Sequence, residues 1–154
     1  MDPLEEKQIV VSRTFEAPLE VLWKAWTEPE HFMNWYGPKG FTAPTCEIDL
    51  RVGGRHFWSM QSPDGMQMYF TGSYKEVVPM ERLVYSDASS DSEGNVKDEG
   101  EGMHGSMDVT VIFEHAEGKT TVTVSHVGSG EGGEYASMGW EQAFDKLTAV
   151  LAKG

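Results

Sequence analysis

Cysteine is nearly missing from this chain. Cys46 is the single cysteine among 154 residues, so no intrachain disulfide can form and no thiolate cluster can bind a metal. A domain of this length buries roughly 70% of the surface of its unfolded chain and folds without such cross-links. The sequence therefore predicts one domain over residues 1–154, suited to a reducing compartment.

Basic residues are also scarce. Twelve Lys and Arg residues face twenty-five Asp and Glu residues, for a formal net charge of −13. Nucleic acids are bound through patches of Lys and Arg, and anionic membrane surfaces repel an acidic protein. No run approaches the roughly 20 apolar residues of a membrane helix, and the N-terminal segment has acids where a secretory signal needs bases. We expect a cytoplasmic protein that binds neither nucleic acid nor membrane.

The hydrophobic pattern is typical of an α+β domain. It predicts a strand over residues 8–15, then two short helices that begin near Pro18 and Pro29, the second capped by Thr27. Six further strands are predicted at 45–50, 55–61, 67–78, 82–86, 106–114 and 120–127. A long C-terminal helix follows from the apolar stripe Met138, Trp140, Ala143, Phe144, Leu147, Val150 and Leu151. Alternating strands of this kind form antiparallel sheets with one wet face.

Two segments are predicted as loops. Acidic residues dominate from Asp87 to Glu101 against Lys97 alone, which predicts a flexible acidic loop over about 87–105. The glycine-rich segment 128–133 is predicted to be a flexible connector. Neither segment has the spacing of a calcium loop or of a phosphate-binding loop. The sequence therefore predicts no metal and no cofactor.

Several stretches resemble one known family. Residues 15–30 (FEAPLEVLWKAWTEPE) resemble the opening of the SRPBCC (START-like, helix-grip) superfamily, in the branch named for the C-terminal domain of the heat-shock-protein-90 ATPase activator. Similar matches are WYGP at 35–38, DLRVGG at 49–54, GSYKEV at 72–77, ERLVY at 81–85 and GWEQAFDKL at 139–147. The resemblance spans about residues 8–152. It implies the helix-grip fold, a curved antiparallel sheet of about seven strands (β-α-α-β6-α) wrapped around the long C-terminal helix, and many bacterial members without an assigned reaction.

A space between such a sheet and its helix is the default ligand site. Strand parity turns one face of the sheet inward, with Val122 among its residues, and Leu147 faces it from the helix. The predicted ligand-binding residues are Trp35, His56, Trp58, Met60, Phe70, Tyr74, Tyr85, Val109, Val111, Val124, His126, Trp140 and Phe144. Aromatic rings on this face are both core and cavity wall.

Non-catalytic binding of a small apolar or aromatic ligand is the first functional hypothesis. No catalytic residues are assigned, because no Ser-His-Asp order or nucleophile elbow occurs and Cys46 has no neighbouring activator. One alternative, from the resemblance, is a co-chaperone-like interaction domain active in the stress response. Another is a cavity enzyme, a cyclase or hydrolase, that uses His56 or His126 as a base. We expect a monomer or a weak dimer.

Overall fold

The fold follows the predicted order of elements. The computed structural model describes residues 7–37, 39–93, 107–128 and 130–152. Its elements are β1 (Lys7–Phe15), α1 (Leu19–Thr27), α2 (Pro29–Phe32), β2 (Cys46–Ile48), β3 (Arg55–Gln61), β4 (Gln67–Val78), β5 (Arg82–Ser90), β6 (Met107–Ala116), β7 (Lys119–Gly128) and α3 (Gly130–Ala152). The predicted α+β class is confirmed.

All seven strands belong to one antiparallel sheet in the order β1-β7-β6-β5-β4-β3-β2. Strands β2 to β7 lie in chain order, so each is joined to the next as a hairpin. At the turn between β6 and β7, Glu117 and Gly118 have φ angles of 53° and 78°, as a type I′ hairpin turn requires. β1 pairs with β7 and thereby lies at the edge of the sheet next to the strand that leads into α3.

The two short helices present aromatic residues to the sheet. In α1, Pro18 precedes the first turn with φ −65°, and Trp23 and Trp26 are buried. The prediction that Thr27 caps α2 is wrong, because Glu28 occupies that position without a side-chain cap. Thr27 is instead the last residue of α1, and its hydroxyl donates to the carbonyl of Trp23 at 2.8 Å. Threonine within helical backbone commonly bonds the carbonyl four residues earlier.

Several predicted boundaries differ from the structure, and three elements show this most clearly: β2, β5 and α3. β2 covers only Cys46–Ile48, because the chain turns from Asp49, whose amide bonds the carbonyl of Arg55. β5 continues to Ser90, four residues into the predicted acidic loop, because the long strand β4 pairs with it as far as Tyr69. The rest of that predicted loop beyond residue 93 lies outside the described residues. Helix α3 begins at Gly130, so the prediction of a connector through residue 133 is wrong, and tertiary context overrides the weak helix propensity of glycine.

The hydrophobic core lies between the inner face of the sheet and the helices. Val111 and Val124 are opposite one another on β6 and β7 and have no exposed surface. From α3, Phe144 is equally buried and meets the ring of Phe15 edge-on at 5.7 Å between centroids. β-branched pairs and edge-on rings of this kind stabilise a sheet and its packing beyond the area that they bury.

Polar contacts hold α3 on two sides. Arg13 on β1 forms ion pairs with Glu141 at 2.9 Å and Asp145 at 3.0 Å. On the other side, Lys146 Nζ donates to the carbonyl of Phe41 at 2.9 Å, in the segment between α2 and β2. These contacts position the helix over the inner face, where the predicted site residues lie.

Candidate functional site

Aromatic rings from several elements meet between the sheet and the helices. Phe32 and Tyr36 stack at 4.0 Å between centroids, and Tyr36 also contacts Trp58 at 4.7 Å and Trp140 at 5.5 Å. Trp26 contacts both Trp35 and Trp140, at 4.8 and 5.7 Å. We define the aromatic cluster as the six residues Trp26, Phe32, Trp35, Tyr36, Trp58 and Trp140. Most of its contacts have the separations at which ring pairs attract one another beyond simple burial.

The aromatic cluster is continuous with side chains that are partly exposed. Trp58 is buried but stacks on Phe70 of β4, with centroids 4.5 Å apart, and Phe70 is half-buried. Met60 is also half-buried and packs against Gly37, its sulfur 3.6 Å from the position that a Cβ there would take. Trp140 is the third half-buried residue. We call Met60, Phe70 and Trp140 the rim, because each is a partly exposed side chain that packs against the hydrophobic core.

The two histidines lie on the inner face of the sheet, as strand parity predicts. His126 is 5% exposed, and its Nε2 accepts a hydrogen bond from Trp140 Nε1 at 3.0 Å. This bond assigns the imidazole proton to Nδ1. His56 is 1% exposed and its ring lies 4.5 Å from that of Tyr85 and 5.4 Å from that of Tyr74. The structure therefore separates them: His126 borders the rim, whereas His56 lies deep in the sheet.

His56 and Tyr74 form what we call the polar pair. Among the described residues, neither His56 Nδ1 nor the Tyr74 hydroxyl has a hydrogen-bond partner, although both atoms are buried. Burial lowers the pKa of His56 to about 3, so the imidazole is neutral. Burial, with a smaller effect of Cys46, raises the pKa of Tyr74, so its hydroxyl is also neutral. Nearby, the hydroxyls of Tyr85 and Tyr36 share a hydrogen bond of 2.7 Å.

The other predicted site residues are core residues of the same region. Val109 lies opposite His126 on one side and opposite Tyr85 on the other, so it joins the two parts of the site across the sheet. Trp35 Nε1 donates to the carbonyl of Ala25 at 3.0 Å, which holds its ring in the aromatic cluster. Phe144 contacts the rings of Trp35 and Trp140, at 6.4 and 6.1 Å. Contact of any of these residues with a ligand stays a prediction.

Three members of the aromatic cluster are missing from the predicted site: Trp26, Phe32 and Tyr36. The sequence contains a signal for two of them. Phe32 and Tyr36 are four residues apart, so in helical backbone they lie on the same face. Strand parity, from which most of the site was predicted, carries no information about residues between α2 and β2. Tyr36 is the most important omission, because it contacts both Trp58 and Trp140.

A groove of about 270 Å³ lies away from the aromatic cluster. It is bordered at the end of β1 and at the end of α3 by Thr14, Phe15, Glu16, Thr148, Leu151 and Ala152. None of the predicted ligand-binding residues lines it. Two chain segments more than a hundred residues apart form this groove, so no local pattern in the sequence predicts it.

The part of the chain that the structure describes contains neither a metal-binding cluster nor a reactive thiol. No group of three or more His, Cys, Asp or Glu side chains there could hold a metal ion. Burial raises the pKa of the Cys46 thiol to about 12, which leaves little reactive thiolate at neutral pH. Within the same described residues, no helix has the length and apolar character needed to cross a bilayer.

Comparison with known proteins agrees with the resemblance seen in the sequence. A family model described as "Activator of Hsp90 ATPase homolog 1-like protein" matches residues 16–152. The chain belongs to this family. Among curated proteins, none matches it significantly.

Solved structures place this family member in the helix-grip fold. A crystal structure of a Chromobacterium violaceum protein has a TM-score of 0.79 and 27% identity, covering 93% of this chain and 95% of that one. A solution structure of a Staphylococcus epidermidis protein has a TM-score of 0.79 and 26% identity, covering 97% and 92%. The AHSA1 protein of Silicibacter pomeroyi has a TM-score of 0.75 and 22% identity over 95% and 98%, a likeness of fold alone. The similarity extends over nearly the whole of each chain.

Proposed function

We propose that this family member binds a small, flat, apolar molecule at the rim of the aromatic cluster, without a chemical step. One observation carries the proposal: the rings of Trp140, Tyr36, Trp58 and Phe70 form a continuous row whose two ends are half-buried. Large aromatic surfaces that are partly exposed next to a packed core are typical of binding sites. A flat ligand stacked on one end would extend this row and remove that end from water.

The size of the rim sets the expected affinity. Covering about 300 Å² of ligand surface at about 25 cal/mol per Å² contributes about 7 kcal/mol before the costs of association. The costs of association reduce this contribution, so we expect a dissociation constant no tighter than the micromolar range. Stronger binding would require hydrogen bonds in addition to burial.

The alternatives have less support from the described residues. His56 is a weak base, because burial lowers its pKa to about 3, and Nε2 of His126 already accepts a hydrogen bond from Trp140. An enzyme that uses either histidine would have to rearrange this region first. The description of the matching family suggests that a chaperone is bound. That description identifies no surface of this chain as the binding site.

Titration with N-phenyl-1-naphthylamine, a neutral fluorescent probe, tests the proposal. We expect micromolar binding to the parent protein and at least tenfold weaker binding to Trp140→Ala. Leu151→Ala, which alters the groove at the end of α3, is the matched control and should bind the probe as the parent does. Loss of binding in Leu151→Ala alone would place the ligand in the groove, and no binding to the folded parent would exclude the proposed function.

A further inference from the structure

Two buried polar atoms next to the aromatic cluster have no hydrogen-bond partner in the described part of the chain. His56 on β3 and Tyr74 on β4 are each 1% exposed and lie on the inner face of neighbouring strands. Buried polar atoms in proteins are nearly always hydrogen-bonded, so each exception requires an explanation. Trp26 Nε1 and Ser59 Oγ also have no partner among residues 7–37, 39–93, 107–128 and 130–152, but His56 and Tyr74 differ from them because their two rings contact one another.

Two rings, those of Tyr36 and Phe32, connect the rim to the polar pair. Phe32 contacts the ring of His56 at 5.6 Å and stacks on Tyr36 at 4.0 Å. Tyr36 in turn contacts Trp58 and Trp140. A ligand bound among these rings therefore reaches the polar pair with its inner end once the rings of Tyr36 and Phe32 have turned aside. Rotations of this kind are common when a protein binds its ligand.

We infer that the polar pair binds the inner end of the ligand, and that the ligand is a neutral aromatic molecule with a hydroxyl group, a phenol in chemical class. This inference rests on the proposed function. A hydroxyl both donates and accepts, so it can donate to the unprotonated nitrogen of His56 and accept from the hydroxyl of Tyr74. A plain hydrocarbon would leave both protein atoms unpaired.

The polar pair carries no charge, and this disfavours an acidic ligand. Both members of the polar pair are neutral at pH 7, because burial lowers the pKa of His56 to about 3 and raises the pKa of Tyr74. A carboxylate brought into this apolar region would lose its hydration without gaining a positive partner from either residue. The ligand that fits is therefore uncharged at its inner end.

Three flat molecules of similar size distinguish a hydrocarbon, a phenol and an acid as ligands: naphthalene, 2-naphthol and 2-naphthoate. Each is used to displace N-phenyl-1-naphthylamine at pH 7. We expect 2-naphthol to bind at least tenfold more tightly than naphthalene, and 2-naphthoate to bind more weakly than 2-naphthol. Tyr74→Phe removes only the unpaired hydroxyl and should fold normally. In this variant we expect the ratio of the naphthol and naphthalene affinities to fall at least fivefold, with naphthalene binding unchanged.

Tyr69→Phe is the matched control. Its ring stacks on Phe57 and its hydroxyl donates to the side chain of Gln67 at 3.1 Å, so the variant removes a tyrosine hydroxyl outside the predicted site and should keep the preference of the parent for 2-naphthol. Equal binding of naphthalene and 2-naphthol to the parent would overturn the inference and leave the proposed function intact. An unchanged ratio of the naphthol and naphthalene affinities in Tyr74→Phe would also overturn the inference. It would indicate that the polar pair binds an internal water molecule. Failure of all three molecules and of the probe to bind would overturn the proposed function itself.

Discussion

Among single residues, His56 connects the stability of the fold to pH. Its pKa is about 3 in the folded protein because of burial, whereas an unfolded chain has a histidine pKa near 6.5. Between these values the unfolded chain binds a proton that the folded protein does not bind. The free energy of unfolding therefore falls as the pH falls from about 6.5 towards 3, by about 1.4 kcal/mol per pH unit at most. Above pH 6.5 this contribution is constant.

His56→Gln removes this dependence. Between pH 7 and pH 5 we expect the parent to lose about 2 kcal/mol more stability than the variant, measured by denaturant unfolding. The comparison uses the change with pH, so any constant cost of the substitution cancels. His115→Gln, at an exposed position on β6, is the control and should follow the parent. Parallel pH profiles for the parent and His56→Gln would show that His56 is not held neutral by the fold.

Phe144 and Trp140 lie on the same helix but differ in burial. Phe144 has no exposed surface and packs against Phe15, so Phe144→Ala should destabilise the fold by about 3–5 kcal/mol through lost burial and the remaining cavity. Trp140 is half-buried at the rim, so Trp140→Ala should lower the stability less than Phe144→Ala does and weaken probe binding more. Denaturant melts and probe titrations of both variants check this. If Trp140→Ala binds the probe like the parent, Trp140 is ordinary core.

At the scale of whole elements, we expect the contacts of Lys146 to contribute more than the ion pairs of Arg13 to the free energy that holds α3 on the rest of the fold. Lys146 is partly buried, its pKa is lowered by that burial, and Nζ donates to the carbonyls of Phe41 at 2.9 Å and Tyr36 at 3.5 Å. Removing a charged donor from partly buried carbonyls costs about 1.5–3 kcal/mol. Exposed ion pairs contribute about 1 kcal/mol or less.

The variants Lys146→Met and Arg13→Met test this order. Both keep a long side chain and remove the charge, and denaturant unfolding should show the larger loss for Lys146→Met. An equal or larger loss for Arg13→Met would mean that the contact of α3 with β1 holds the helix in place. Arg13 also lies over the ring of Phe144, 5.8 Å from its centroid, and this contact adds to whatever loss its variant shows.

On the scale of the molecule, charge opposes folding. A formal net charge of −13 on 154 residues makes the compact state repel itself. Salt screens such repulsion, with a Debye length of about 30 Å at 0.01 M and about 8 Å at 0.15 M. We expect the thermal midpoint to rise by several degrees between about 10 and 150 mM KCl. A midpoint that falls over this range would show that the ion pairs outweigh the net repulsion.

The local pattern of residues was sufficient for most of the secondary structure. β3 and β4 have the predicted bounds, Arg55–Gln61 and Gln67–Val78, because alternating residues stand between short turns that contain glycine or proline. Composition was misleading where partners lie elsewhere in the chain. Serine and aspartate after Ser86 indicated a loop, but pairing with β4 extends β5 to Ser90, and glycines from 130 onward are helical.

The candidate site depends more on contacts that are distant in sequence. Periodicity determined that His56, Tyr74 and His126 face inward, because each side chain direction follows from its own strand. It could not show that Tyr36 would contact Trp58 and Trp140, or that Trp140 would donate to His126. Nor could it show that His56 Nδ1 would lack a partner among the residues that the structure describes. Those contacts arise when α3 packs across the sheet. Hydrophobic burial drives that packing without direction, and the shapes of the surrounding side chains then determine which rings and which polar atoms meet.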